Sequence, residues 1–463
     1  MKLSFHGADR TVTGSCHLLE CRDRRVLIDC GLFQGSREIG EENAEPLGFD
    51  PATVDFVLLT HAHLDHCGRL PLLAKAGFRG EVIATAATFE LARLVILDAA
   101  RLQEEDTRHR HHGTWRQGEQ VSAQPLYSAR DAEDVVARFG RAAAYDTALD
   151  VVPGIRATFL DAGHIVGSAS ILLAIEENGR RRTVLFSGDI GNSGRPLLRS
   201  PQVPDAAEIV IMETTYGDRR HRRFDASVEE LIRAVAATLE RGGNVLIPTF
   251  ALERAQEVLY FLREGVEKNR LPRTLPVFLD SPMAISATEI FRRHPECFAP
   301  KPGGIFGGRT DPFVLPELRM TRETPDSAEI DHIHGGAVIL AGSGMCTGGR
   351  IRHHLQANLG REASSVIFVG FAAKGTLARQ IIDGARQVQV LGTEVPVRAR
   401  IHTINGFSAH ADQRELLDWH NRIGGGRRAT FLVHGEAAVM KSFAQRLTVP
   451  RIEMPALHQE FEL

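Results

Sequence analysis

Paired cysteines are the first thing this chain lacks. Its six cysteines, Cys16, Cys21, Cys30, Cys67, Cys297 and Cys346, are scattered through 463 residues with no C-x-x-C pair among them. That argues against a zinc ribbon and against a disulfide framework. An excess of one charge is also missing. The net charge is −3, so bulk electrostatics signal no nucleic-acid partner, although bound cations and local arginines can still attract phosphate. No uncharged apolar run approaches the ~18 residues of a membrane-spanning helix. The opening MKLSFHGADR has no apolar stretch of the kind a secretory signal carries, which makes the cytoplasm the expected location. Internal repeats and low-complexity tracts are absent too. What remains is 43% hydrophobic and 24% charged, an ordinary globular composition. The length is too great for one small core and predicts two domains, one of them inserted in the other.

Hydrophobic patterning gives the organisation. LSFHGA, CHLLECRD and RVLIDCG are short, alternating and separated by turn residues, as in antiparallel strands. The stretch 151–177 has the same character. VDFVLLTHA (54–62), RRTVLFSGDIG (181–191) and AEIVIMETTYG (207–217) are apolar runs that end in polar clusters, the arrangement by which α/β folds build sites at strand C-termini. Helical spacing occupies 88–106. A second helical face is made by Val228, Leu231, Ile232, Val235 and Leu239, with Ser227 and Glu230 spaced as a capping box. From about residue 218, strands NVLIPTF, PVFLDSP, GAVILAGSGM and SSVIFVGF alternate with helices, which predicts a parallel sheet with crossover helices. Strand-like pieces ending in polar clusters return after about 395. The predicted fold class is α/β, with a first domain formed by 1–210 and 396–463 and a parallel α/β insertion over 211–395. Segments 107–125 and 296–328 read as irregular.

The densest chemistry lies in THAHLDHCGRL. His61 and His63 stand two apart and point the same way from an extended strand end. Asp65 and His66 follow on a turn. Imidazole and carboxylate in this combination suit zinc, which imposes no geometric preference of its own. A single motif supplies at most four ligands, and a pair of ions needs more. His164 in DAGHIVGS, Asp189 in FSGDIG and His434 in LVHGE are candidates, each beside a glycine at the end of an apolar strand.

In order, LIDCG, THAHLDH, AGHIVGSAS, FSGDIG, METTYGDR, FSAHAD and LVHGE resemble the metallo-β-lactamase superfamily in its β-CASP branch of nucleases. The resemblance covers nearly the whole chain. It implies an αβ/βα sandwich carrying an inserted β-CASP domain, and two zinc ions per chain. Carried onto this sequence, His61, His63 and His164 hold one ion, Asp65, His66 and His434 hold the other, and Asp189 bridges them. Asp29 corresponds to the first motif and stands behind a ligating imidazole, where it fixes the tautomer. Two divalent ions can activate a shared hydroxide for in-line attack on phosphorus. His410 is the implied general acid, supported by Glu213.

Two glycine-rich turns complete the reading. AGSGMCTGGR (341–350) and AAKGTLARQ (372–380) each precede a helical pattern and leave backbone N–H groups free for an anion. Both resemble β-CASP segments lining an RNA cleft, with Ser343, Gly344, Met345, Lys374, Gly375 and Thr376 as contacts and Ser281 of LDSPMA on the same rim. Family members often have glycine where Ala378 stands here, which bears on how closely the backbone can approach there. His109, His111 and His112 lack the carboxylate a third metal site would need and read as a solvated basic loop; a functional role there would be contact with backbone phosphate, with Trp115 stacking on a base. The histidines of DHIHGG and RHH read as structural or surface residues.

The expected function is zinc-dependent hydrolysis of single-stranded RNA, internal or from the 5′ end, in RNA processing or decay. His434 favours RNA over DNA, because DNA-repair members of the branch usually carry valine there. No N-terminal RNA-binding extension precedes MKLSFHG and no long C-terminal extension follows, so the compact bacterial homologues of the cleavage-and-polyadenylation endonuclease are the nearest in layout. A homodimer is implied by analogy. A hydrolase of small esters or thioesters, or a metal-stabilised RNA-binding scaffold, are the alternatives. The insertion argues against the first; the complete ligand set argues against an inactive member that has lost its metals but is compatible with a metal-stabilised scaffold.

Overall fold

The computed structural model describes residues 1–35, 41–112, 124–177, 179–299, 311–370 and 372–463, with 109–112 described by backbone alone. The chain divides into two compact units, Met1–Arg220 with His410–Leu463, and His221–Ala409. These boundaries fall after the expected 211 and 395. Strand Arg400–Thr403 still pairs with Ser365–Phe368 in the second unit's sheet, and the chain re-enters the first unit only at His410.

The first unit holds two seven-stranded sheets. One runs, in spatial order, Glu460–Glu462, Lys2–Phe5, His17–Cys21, Arg24–Ile28, Phe56–Leu58, Glu81–Thr85 and Phe139–Ala143. Its early strands pair antiparallel and its later ones parallel. The other runs Ile452–Glu453, Ala429–Val433, Ile209–Glu213, Arg180–Phe186, Ala169–Glu177, Ile155–Asp161 and Ala148–Val152. Alternate residues face inward, as a half-buried strand requires. Leu3, Phe5, Leu19, Val26 and Ile28 from one sheet share a core with Phe159, Ile171, Leu173, Phe186, Ile211 and Phe431 from the other. The opposite faces of the second sheet's strands, Leu185, Val210, Met212 and Leu432, are covered by Leu416, Trp419, Met440 and Phe443 of helices Gln413–Arg422 and Ala437–Ala444. Helix, sheet, sheet, helix is the layering expected from the sequence.

The second unit holds a six-stranded, wholly parallel sheet in the order Leu318–Met320, Val277–Asp280, Val338–Ala341, Val245–Pro248, Ser365–Phe368 and Arg400–Thr403, and a small antiparallel pair, Gln387–Val390 with Thr393–Pro396. The strands from Val245–Pro248 to Ser365–Phe368 are buried at every position except in the edge strand Leu318–Met320. That continuous burial explains why they read as uninterrupted apolar runs.

Three local readings are corrected. The helix carrying Val228 begins at Phe224, not after Ser227, so Ser227 is buried inside it and donates back to the Arg223 carbonyl (3.4 Å). The supposed capping box lies within the helix. Residues 107–112 continue helix Ala86–His112 despite four weak helix formers among them, and Thr107 returns a hydrogen bond to the Gln103 carbonyl (2.8 Å). Trp115 lies outside the described residues. Within 296–328, residues Leu318–Met320 form the edge strand and Thr324–Ile330 opens with a proline as a short helix. A three-residue strand is too short to show a period of two.

Candidate metal centre

Every residue of the predicted metal set lies in the first unit, at strand C-termini or just beyond them. His61 and His63 follow Phe56–Leu58, Asp65 and His66 sit in the one-turn helix Leu64–Cys67, and His164 lies in the turn after Ile155–Asp161. Asp189 follows Arg180–Phe186, and His434 follows Ala429–Val433. The strands before Asp189, Glu213 and His434 are adjacent and parallel, so these three residues emerge side by side. Gly31 permits the tight lacing of the loops. A Cβ there would fall 1.6 Å from the Asp65 carbonyl oxygen.

Two groups of donor atoms result. His61, His63, His164 and Asp189 form one, Asp65, His66 and His434 the other, and the donor atoms within each group lie within 4.8 Å of one another. His63 Nδ1 is 3.1 Å from His61 Nε2 and 3.2 Å from His164 Nε2. Asp189 Oδ2 is 3.5 Å from both His61 and His164. Ligands 2.0–2.1 Å from a tetrahedral zinc stand roughly 3.3 Å apart, so these spacings fit. Asp189 Oδ1 turns the other way, 3.3 Å from His66 Nε2 and 3.6 Å from His434 Nδ1. Asp65 Oδ2 is 3.4 Å from His434 Nε2. His66 Nε2, His434 Nε2 and Asp189 Oδ1 are buried without a hydrogen-bond partner, although buried polar atoms are ordinarily satisfied. A cation in each group satisfies them, so the residues fit a pair of metal ions.

Electrostatics favour the same occupant. Burial keeps His61 and His164 well below the ordinary imidazole value and brings His63 down to about 4. All three are therefore neutral and ready to donate a lone pair. Burial opposes the charged form of Asp65 too, but His434 at 3.4 Å and the charge of His66 bring it down to about 2. Burial likewise opposes the charge on His66, but Asp189 and Asp29 hold it well above the ordinary imidazole value, a proton that a bound cation would displace.

The supporting shell fixes which nitrogen each ring presents. His66 Nδ1 donates to Asp29 Oδ2 (2.7 Å), leaving Nε2 for a metal. Asp29 also accepts from Thr60 N (2.8 Å), Thr60 Oγ1 (2.8 Å) and Ser15 Oγ (3.4 Å), while His61 Nδ1 lies 3.1 Å from the Thr60 hydroxyl. Ser168 Oγ accepts from His164 N (3.1 Å), and Thr215 Oγ1 lies 3.1 Å from His434 Nδ1. Sequence reasoning missed Ser15, Thr60, Ser168 and Thr215. Their only signal was a hydroxyl within or beside a quoted motif. Asp29 and His434 both adopt left-handed backbone, φ +61° and +48°, a strained state for residues with a Cβ that functional sites often hold.

Glu213 is fully buried. Its Oε1 accepts from Ile190 N (2.6 Å) and faces His410 Nδ1 (3.3 Å), and its Oε2 accepts from Thr215 N (3.2 Å). The His410 ring lies 4.6 Å from that of His164. Burial acts to lower the His410 pKa, but the Glu213 and Asp189 carboxylates outweigh it and push it to about 9. A bound cation would bring it back toward neutrality.

The predicted RNA-contact residues lie in the second unit. Ser281 caps helix Pro282–Arg293 by accepting from Ala284 N (3.2 Å), and Thr376 caps Leu377–Ile382 by accepting from Arg379 N (3.2 Å). Ser343, Gly344 and Met345 form the turn after Val338–Ala341, where Met345 O accepts from Ala378 N (3.2 Å). The Ala378 methyl is buried in the adjacent core, so its backbone approach is used within the fold. Lys374 is exposed and Gly375 takes φ +84°.

Profile comparisons match residues 9–249 to the metallo-β-lactamase superfamily, 255–381 to the β-CASP domain and 394–454 to the Zn-dependent metallo-hydrolase RNA specificity domain. The chain is 41% identical to a Thermus thermophilus protein named as a ribonuclease, over 97% of this chain and 96% of the relative. It is 32% identical to the transcription termination factor FttA of Methanocaldococcus jannaschii, over 98% of this chain and 69% of that one. A crystal structure of an Enterococcus faecalis protein of unknown function shares the fold across the whole chain and 99% of its own, at 12% identity with a TM-score of 0.58.

Proposed function

The chain belongs to the β-CASP branch of the metallo-β-lactamase superfamily and is a metal-dependent, RNA-processing ribonuclease, and on that premise we propose how its residues divide the work. Two zinc ions would be held, one by His61, His63 and His164, the other by Asp65, His66 and His434, with Asp189 facing both groups. When bound, they supply Lewis-acid polarisation of a phosphodiester and an acidified water. Asp29 locks the His66 tautomer. Glu213, itself held by two backbone N–H groups, orients His410 and stabilises its imidazolium, so that His410 protonates the departing ribose oxygen. The observation that carries this reading is the convergence of seven donor side chains from four separate chain segments, with His66 Nε2, His434 Nε2 and Asp189 Oδ1 left otherwise unsatisfied. Among the described residues no helix is long and apolar enough to cross a membrane.

Removal of the His410 imidazole is expected to slow cleavage of single-stranded RNA about 10²-fold, at the lower end for general-acid catalysis, with zinc content unchanged. Equal turnover in the wild type and His410→Ala removes the general-acid assignment. Asp29→Asn is expected to weaken zinc binding roughly 10–100-fold, read by chelator competition. Unaltered affinity would show that His66 keeps its tautomer without the carboxylate. RNA labelled separately at its 5′ and 3′ ends distinguishes internal cuts from progressive end-digestion, since only internal cuts release unlabelled fragments together with two labelled series.

A further inference from the structure

Phe250 is one of only four large hydrophobic side chains among the described residues that are exposed, at 41%. It lies two residues beyond strand Val245–Pro248, at the C-terminal edge of the second unit's parallel sheet. Its ring is not loose. A Cβ on Gly344 would fall 2.8–3.2 Å from three of its ring carbons, and one on Gly370 would fall 3.6 Å from Cε2. Gly344 follows strand Val338–Ala341 and Gly370 follows Ser365–Phe368, so glycines beyond the two neighbouring strands shelve the ring. Topology marks the same place. From Val245–Pro248 the chain moves to Val277–Asp280 on one side, whereas from the adjacent Ser365–Phe368 it moves on to Arg400–Thr403 on the other. Connections that leave two neighbouring strands in opposite directions open a crevice at their C-terminal ends, where α/β sheets hold ligands. Ser281 is close by, its Oγ 3.8 Å from where a Gly342 Cβ would stand, and Ser343 is in the same turn as Gly344.

From this arrangement we infer that Phe250 is a stacking platform for one base of the single-stranded RNA, a positioning and binding residue for the ribonuclease reaction on whose assignment the inference rests. A flat, preset aromatic face costs little conformational entropy to use, and stacking accepts any base. The glycines are needed because a methyl at 344 would swing the ring off its shelf.

The test is steady-state cleavage by the zinc-loaded full chain of one RNA oligomer and of copies with a single abasic site moved along it. Phe250→Leu fills the shelf without a π face and should raise KM roughly tenfold, within the range for loss of one base stack. The loss falls on KM rather than kcat. Phe250→Trp should restore KM, and Gly344→Ala should reproduce the leucine effect with the ring still present. In the wild type, one abasic position should raise KM to the same extent, and in Phe250→Leu that position should cost nothing further. A wild-type KM in Phe250→Leu, or penalties that simply add to those of every abasic site, overturns the platform while robust cleavage leaves the ribonuclease assignment standing. An RNA that the wild type neither cleaves nor binds overturns both.

Discussion

Replacing Asp189 with alanine lowers the rate of RNA cleavage on the order of 10³-fold or more and strips metal from the protein at the same time. The magnitude follows from what is lost together. Asp189 Oδ2 faces His61 and His164 at 3.5 Å, and Oδ1 faces His66 at 3.3 Å and His434 at 3.6 Å. Without this carboxylate, each ion loses its shared anion and the neutral imidazoles alone compensate poorly for a divalent charge. Losing one preorganised electrostatic contact typically costs 10²–10³ in rate, and losing an ion removes the water activation as well. His434→Ala should act on one group only, so the two variants are compared by metal content per chain. Asp189→Ala should fall toward none, and His434→Ala toward one equivalent. Excess chelator should match the first variant's rate, and added zinc should restore only the wild type. Two equivalents retained in Asp189→Ala would mean that the carboxylate is not shared.

Asp280→Ala destabilises the second unit by about 3–5 kcal/mol, the usual consequence of removing one partner from a buried ion pair. The carboxylate has no exposed side-chain surface. It accepts from Thr321 Oγ1 (2.6 Å), Ser327 Oγ (2.6 Å), His354 Nε2 (2.7 Å) and Arg350 Nη1 (2.8 Å), and His354 Nδ1 in turn reaches Asp331 Oδ1 (2.9 Å). Alanine leaves the buried His354 and the half-buried Arg350 without the anion they share, and His354 with Asp331 alone. Burial would raise the Asp280 pKa, but these donors hold it below the usual carboxylate range, and the same pair keeps His354 raised. The signs define a window. A depressed carboxylate contributes fully above its unfolded pKa near 3.9 and loses that contribution as the pH falls below it. A raised histidine contributes fully below about 6.5 and loses it as the pH climbs through the folded value. The advantage of wild type over Asp280→Asn should therefore be greatest between about pH 4 and 6.5. Urea unfolding with amide exchange of residues 221–409 reads this directly. A difference that stays flat from pH 3 to 9 would show that the cluster contributes packing rather than charge.

Legibility differed between kinds of feature. The layered first unit and the parallel second unit were readable because burial on one face or both writes a period into each strand. LVHGE and FSGDIG announced donors at strand ends for the same reason. The start of helix Phe224–Glu240 was not readable, since Ser227 has the composition of a cap and the position of a core residue. The left-handed backbone of Asp29 left no mark either, as nothing local requires it. Of the supporting hydroxyls, Thr60 stands beside His61 in the chain, yet its partner Asp29 is 31 positions away.

The sequence by itself determined the inventory: how many imidazoles and carboxylates exist, which share a strand end, and which segments bury their faces, because side-chain period and turn chemistry act over a few residues. Only the tertiary structure decided that His410 meets Glu213 across 197 positions, that Thr215 meets His434 across 219, and which nitrogen each ring presents. Those outcomes depend on the order in which strands pair and on what the packed core leaves beside each ring, and neither is encoded at any one site.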